Sequence, residues 1–250
     1  MMRKACQGLN AKRLPNDIKL LAGEKDALEA RGIYVHVDED NMSNIDVLVV
    51  PRHKLDADVP GLESPYTGGM FLFEIRPGAD YPMAPPKVTF HPQQDHCRLH
   101  PNYYEGGKCC LSIINTWGGH DWSPSMSILA IINTLEERFN ERAICFEPGN
   151  ENSTASKMMA FNAGVEYGKL KWVVLPVMRG GTHRHAAYAK FADVLRLEFD
   201  RNYDFYVRRL AILAEGYDGK MVGQASYLHG FVIETAPLAA ELAALQRTRV

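Results

Sequence analysis

Leu14, Ile18 and Leu21 fall at the spacing of one helix face. Pro15 suits the first turn of such a helix. Gly32 then stops it. Past that point the period shortens. Ile33 to Val37 predicts a first strand, Asn41 and Asn44 a turn, and the β-branched run Ile45 to Val50 a second strand. Pro65 to Gly69 reads as a turn before the alternating stretch Met70 to Ile75, and Lys87 to Phe90 as a fourth short strand. From Pro92 to Ser123 almost nothing is periodic, and a loop of that length in a compact domain is usually functional. Ser123-Pro124 then predicts the opening of a helix with the apolar stripe Ile128, Leu129, Ile132 and Leu135.

The texture changes near residue 150. Helices are expected from about Ser153 to Val174, from Ala186 to Leu213 and from Pro237 to Gln246. Phe191, Leu195 and Phe199 share one face of the second, which is ordinary core packing for an amphipathic helix. A helix, an antiparallel meander and then helices make the fold class α+β. We expect a core domain over residues 10–152 and a helical C-terminal extension over 153–250 packed on it.

Composition changes this picture little. The 250 residues are 46% hydrophobic and 23% charged, with a formal net charge of −2. That balance exerts no whole-protein pull on nucleic acid or an anionic membrane, and neither is an expected partner. No apolar run approaches the ~20 residues of a membrane span. Arg3, Lys4, Lys12 and Arg13 are not followed by the apolar stretch of a secretory signal. The expected compartment is the reducing cytoplasm, with the nucleus as a second. The five cysteines (Cys6, Cys97, Cys109, Cys110 and Cys145) are odd in number, and two are adjacent, unlike a disulfide framework. They raise the question of a nucleophile or a metal ligand.

The informative stretch is Leu99-His100-Pro101-Asn102 followed by Gly106-Gly107-Lys108-Cys109-Cys110-Leu111-Ser112. It resembles the ubiquitin-conjugating (E2) enzymes, in which a His-Pro-Asn turn precedes the reactive Cys by eight residues counted from the Asn. Asn102 to Cys110 is that spacing, and Cys109 falls one short. Four further pieces follow the family's order: Ser64-Pro65-Tyr66-Thr67-Gly68-Gly69, Asp80-Tyr81-Pro82-Met83-Ala84-Pro85-Pro86-Lys87-Val88, Trp122-Ser123-Pro124 and Glu147-Pro148. Any one is weak, and five in order are strong. The run from Cys110 through Thr116-Trp117, with Glu147-Pro148-Gly149 and Asn202-Tyr203-Asp204-Phe205-Tyr206, is similar to the larger Z-type members with a helical C-terminal extension and to the E2 domain of the giant inhibitor-of-apoptosis protein. The likeness covers roughly residues 10 to 215.

The resemblance implies the UBC fold: an N-terminal helix, a four-stranded meander, the active-site loop and a crossover helix. It implies that an E1 transfers ubiquitin or a ubiquitin-like protein to Cys110 as a thioester, and that a lysine or an E3 cysteine then receives it, with no cofactor and no metal. Thiol–thioester exchange is near balanced in energy, so Cys110 needs no strong activation. His100 reads either as a general base paired with a Cys or as a brace of the loop with Pro101, and the family treats it as structural. Asn102 reads either as an amide donor to a developing oxyanion or as a bond within its own loop. Glu147 reads either as a guide for an incoming lysine or as a solvated loop acid. Met83 and Pro124-Ser125 match the two loops that meet E1 or E3, and Met is a flexible apolar contact there. The exposed face of the following helix is expected to hold the donor, and Tyr81-Pro82 is expected to be cis, as in relatives. Two positions depart from the family, Leu99 for Tyr and Ser112 for Asp, and both put direct transfer to lysine in question.

Three rivals stand beside this reading. His91, His96, Cys97, His100, Cys109 and Cys110 crowd together as zinc-type donors, without paired C-x-x-C spacing. A cysteine protease would need a distant His, for which His183, His185 and His229 are available. An inactive E2-like binding module would keep the fold without the chemistry. The enzymatic reading expects the Cys110 sulfur in a shallow, accessible groove beside the Asn102 amide.

Overall fold

A computed structural model describes residues 2–52, 63–92, 98–118, 121–180, 185–222 and 230–247, with side chains from residue 12 onward. Helix α1 runs Met2–Gly23 and α2 runs Lys25–Ala30. Pro15 lies inside α1, not in its first turn as expected, because the helix continues upstream through Ala11, Lys12 and Arg13, all good helix formers. Leu14, Leu21 and Leu28 are buried.

Strands β1 (Ile33–Val37), β2 (Ile45–Val49), β3 (Phe71–Arg76) and β4 (Lys87–His91) form one antiparallel sheet in the order β1-β2-β3-β4. The register sorts their side chains onto two faces. Val35, Val47, Phe73 and Phe90 are paired across one row of the inner face. Tyr34, Leu48, Leu72 and His91 form a row of the outer face, with His36, Asp46, Glu74 and Thr89 beside it. The inner face meets α3 (Ile128–Glu137) and the residues that follow it, where Phe71 and Phe139 stack at 4.4 Å.

α3 opens at Ile128 and not at Ser123-Pro124. Ser127 is its N-cap, accepting from the Ala130 N–H at 3.2 Å. The expected start fails because Arg13 of α1 collects the carbonyls of Pro124, Ser125 and Met126, which hold that segment as a turn.

Beyond the core come α4 (Ala155–Lys169), a π turn (Leu170–Val174), α5 (Leu175–Arg179), a 3-10 turn (Ala186–Phe191), α6 (Ala192–Tyr217) and α7 (Thr235–Arg247). The helix expected to end near Val174 therefore continues to Arg179. The one expected from Ala186 begins as a tighter turn. A pair of two-residue antiparallel strands, β5 (Met221–Val222) and β6 (Phe231–Val232), has too little sequence to show a period and was not expected.

These helices cover the outer face of the sheet. Tyr34 donates to Glu198 at 2.6 Å, Lys190 to Asp46 at 2.6 Å, and His36 meets Phe191 edge-on at 6.4 Å. The Tyr206 hydroxyl donates to Gly68 O at 2.6 Å, and the Lys169 ammonium to Thr67 O at 2.7 Å. Gly68 sits at φ +73°, and a Cβ there would lie 2.7 Å from the Tyr206 ring, so turn and packing both require glycine. An antiparallel sheet often leaves one face wet. Here every residue of β2 is buried, since the extension supplies the second cover.

Candidate active site

The turn Leu99–Asn102 is held from below by three aromatic or imidazole groups. The Tyr66 hydroxyl donates to Leu99 O at 2.8 Å, and the Tyr103 hydroxyl to Leu135 O of α3 at 2.8 Å. His100 is 2% exposed. Its Nδ1 accepts from the Asn102 N–H at 3.0 Å, so Nε2 carries the proton and donates to Arg138 O at 2.9 Å. Burial pushes its pKa down to about 3, which fixes a neutral ring with both nitrogens engaged. This is the geometry of a brace. The alternative, a general-base role, finds no thiol at either nitrogen.

Asn102 and Cys110 face each other. The Asn102 side-chain amide donates to Cys110 O at 2.8 Å, and the Cys110 N–H donates to Asn102 O at 2.8 Å. Pro101, between His100 and Asn102 in the chain, is buried. The amide thus meets the main chain of Cys110, not its sulfur.

The two adjacent thiols have different surroundings. Cys109 pairs with Tyr103 across a β-bridge and joins the apolar core. Burial pushes its thiol pKa well up, so little thiolate forms there. Cys110 is also covered, at 3% exposure, but lies outside that core cluster. Its Sγ–H points to Thr116 O at 3.4 Å. The expected open groove is therefore corrected: a short loop lies over the sulfur. A 3-10 turn, Ser112–Ile114, and Asn115 at φ +56° reverse the chain. Thr116 then closes it, its hydroxyl accepting from the Leu111 N–H at 2.9 Å and donating to Cys109 O at 2.7 Å. Ser112, one of the two departures, opens this turn.

Leu99, the other departure, is buried against the extension. A Cβ at Gly168 of α4 would lie 2.6 Å from its Cδ2 and 2.6 Å from the Trp172 ring. The apolar Leu fits a position closed by a helix.

Glu147 follows a 3-10 turn, Ala143–Phe146, and is about one-fifth exposed. Its carboxylate accepts from Arg98 at 3.3 Å. Arg98 also donates to Pro101 O, and its guanidinium lies 3.8 Å from the centre of the Tyr104 ring. Glu147 is thereby tied to the active-site turn through an arginine that spacing alone did not single out.

The two expected partner loops lie side by side. Met83 is 56% exposed, and Pro124 and Ser125 are exposed. Arg13 holds the second loop and pairs with Asp17 at 3.0 Å; Asp17 accepts from the Tyr81 hydroxyl. The Trp122 indole donates to Pro82 O at 2.8 Å, and Tyr81-Pro82 is cis. On α3, Arg31 donates to Asn133 at 2.9 Å and to the buried Glu136 at 2.9 Å.

Among the described residues no group of three or more His, Cys, Asp or Glu is placed to hold a metal ion, and no helix is long and apolar enough to cross a membrane. His96, Cys97, His183 and His229 lie outside the described residues. His185 is engaged by the Ala187 N–H and stacks on His91 at 3.8 Å.

The motifs, the four-stranded meander and the turn that brackets Cys110 all point one way, and the family model described as "Ubiquitin-conjugating enzyme" matches residues 16–166. The chain belongs to the ubiquitin-conjugating enzyme family. It is similar to the ubiquitin-conjugating enzyme E2 Z of Xenopus tropicalis, with 30% identity over 70% of this chain and 53% of that protein. The E2 Z of Homo sapiens matches with 30% identity over 70% of this chain and 47% of that protein. The dual E2 ubiquitin-conjugating enzyme/E3 ubiquitin-protein ligase BIRC6 of Homo sapiens matches with 26% identity over 82% of this chain but 4% of its own length. The chain spans about half the length of the E2 Z relatives. A solved E2 domain of a Toxoplasma gondii ubiquitin conjugating enzyme aligns with TM-score 0.44 and 20% identity, covering 62% of this chain and 97% of that one. The structure adds four residues to those that spacing singles out: Thr116 over the Cys110 sulfur, Arg98 between Pro101 O and Glu147, and Arg13 with Asp17 behind the docking loops. Thr116 lies within the run that carries the resemblance, while Arg98, Arg13 and Asp17 each have a partner far along the chain, which no local pattern reveals.

Proposed function

We propose that this chain carries ubiquitin or a ubiquitin-like protein as a thioester on Cys110, received from an E1 and passed on with the help of an E3. The observation that carries this reading is the reciprocal bonding of Asn102 and Cys110 over a neutral, buried His100. The Cys110 thiolate attacks the carbonyl carbon of the modifier–E1 thioester. A new C–S bond forms, the old one breaks, and the E1 cysteine leaves as a thiolate that takes up the proton Cys110 lost. In the second step an acceptor attacks the same carbon and Cys110 leaves. Asn102 must release the Cys110 carbonyl before its amide can serve an oxyanion, and the loop at Thr116 must lift from the sulfur. Met83, Pro124 and Ser125 supply the exposed docking loops for E1 and E3, set by Arg13 and Asp17. Glu147 is bonded to the turn through Arg98, and His100 with Pro101 frames that turn. The reducing cytoplasm, and the nucleus with it, suits a chemistry that needs free thiols, and Cys109, Cys110 and Cys145 are free.

The cover over Cys110 also suits a second reading, a non-catalytic module with the same fold. Incubation with E1, ATP and ubiquitin separates the two. The enzyme forms an adduct that dithiothreitol removes, and the module forms none.

A further inference from the structure

Arg98 joins three groups beside the active-site turn. It donates to Pro101 O, pairs with Glu147 at 3.3 Å and stacks over Tyr104 at 3.8 Å. The Arg98 and Glu147 side chains are 14% and 20% exposed, so water screens the pair far less than a surface bridge. The Lys108 ammonium lies 5.6 Å from the same Tyr104 ring. Arg98, Lys108, Glu105 and Glu147 together carry no net formal charge. Pro101 is one residue from Asn102, which bonds Cys110 in both directions.

An acceptor lysine arrives as an ammonium. A lone carboxylate beside the turn would draw it in, but Glu147 already has a cationic partner, and an approaching ammonium meets the guanidinium as a like charge. A thiol arrives neutral or as a thiolate and meets no such penalty. Resting on the thioester reading above, we infer that Arg98, by holding Glu147, makes this site selective for a cysteine thiol as acceptor over a lysine amine. The acceptor thiolate attacks the thioester carbonyl on Cys110. The new C–S bond replaces the old one, and Cys110 leaves as a thiolate and regains the proton that the acceptor gave up. Arg98 is a positioning residue in this step and touches no reacting atom.

The test charges the wild type, Arg98→Gln and Arg98→Lys on Cys110 and then follows single-turnover discharge to free lysine and to N-acetylcysteine. Charging itself reports that each variant is folded. The wild type should discharge to the thiol and only slowly to lysine. Arg98→Gln should speed lysine discharge about five- to tenfold through a lower half-saturating lysine concentration, as expected when one close charge interaction is removed. Thiol discharge should stay within about twofold. Arg98→Lys keeps the charge but cannot span both Pro101 O and Glu147, so it should gain less. Adding Glu147→Gln to Arg98→Gln should cancel the lysine gain. Equal slowing of lysine and thiol discharge in Arg98→Gln would reduce Arg98 to a brace of Pro101 and overturn the inference. Absence of any wild-type charging would instead sink the thioester reading on which it stands.

Discussion

Asn102 and Cys110 are locked to each other by two hydrogen bonds of opposite direction, each 2.8 Å long. The lock explains why spacing distinguishes the two thiols. Only the residue eight positions after Asn102 has its main chain in reach of both groups, while Cys109 turns toward Tyr103 and the core. Asn102→Ala removes a buried donor and leaves the Cys110 carbonyl without it. The expected cost is about 1–2 kcal/mol in urea unfolding. Discharge should slow at least about tenfold if the amide also serves the oxyanion. A stability loss with unchanged discharge would assign Asn102 to the loop alone.

The Thr116 hydroxyl ties the cover over Cys110 to Cys109 O and the Leu111 N–H. Thr116→Val keeps the shape and loses both bonds. Alkylation of Cys110 by iodoacetamide, followed by mass spectrometry of the Cys109–Cys110 peptide, should then accelerate several-fold. An unchanged rate would mean that the cover opens by another route.

His100 links stability to pH. Burial holds its folded pKa near about 3, below the ordinary value of about 6.5. Between those values the unfolded chain binds a proton that the folded one refuses. Its contribution is therefore fully present above about pH 6.5 and falls as the pH drops toward 3, by about 1.4 kcal/mol per unit. Urea midpoints measured from pH 7 to pH 4.5 should decline, and more gently in His100→Gln.

The parts of the fold set by local periodicity were legible in the chain. Strands β1 to β4 appear within a residue or two of their expected limits, because alternation and the flanking turns act locally. The start of α3 was not legible. It depends on Arg13, 111 residues away from Pro124, capturing carbonyls that would otherwise begin the helix. The site divides in the same way. His100, Asn102 and Cys110 share one short loop and could be paired by counting. The cover on Cys110 rests on a left-handed Asn115 and one hydroxyl, which residue counting does not report. Glu147 could be placed, but its arginine partner could not.

The extension is fastened to the sheet through charge as well as packing. Glu198 is fully buried and accepts from Tyr34 at 2.6 Å, from Arg52 at 2.9 Å and from Arg201 at 2.7 Å. Glu198→Ala strands Arg52 and Tyr34 without their acceptor and should cost about 3 kcal/mol. Fluorescence and circular dichroism should report one shared transition at a lower urea midpoint. Two separate transitions would show that the helices and the sheet unfold independently.

The central claim is that the sulfur at position 110, and not its neighbour, takes up the modifier. Cys110→Ala and Cys109→Ala are each incubated with E1, ATP and ubiquitin, and the dithiothreitol-sensitive adduct is followed on a non-reducing gel. Cys109→Ala should retain the adduct and Cys110→Ala should lose it. An adduct that persists in Cys110→Ala, or one that disappears only in Cys109→Ala, would contradict the account.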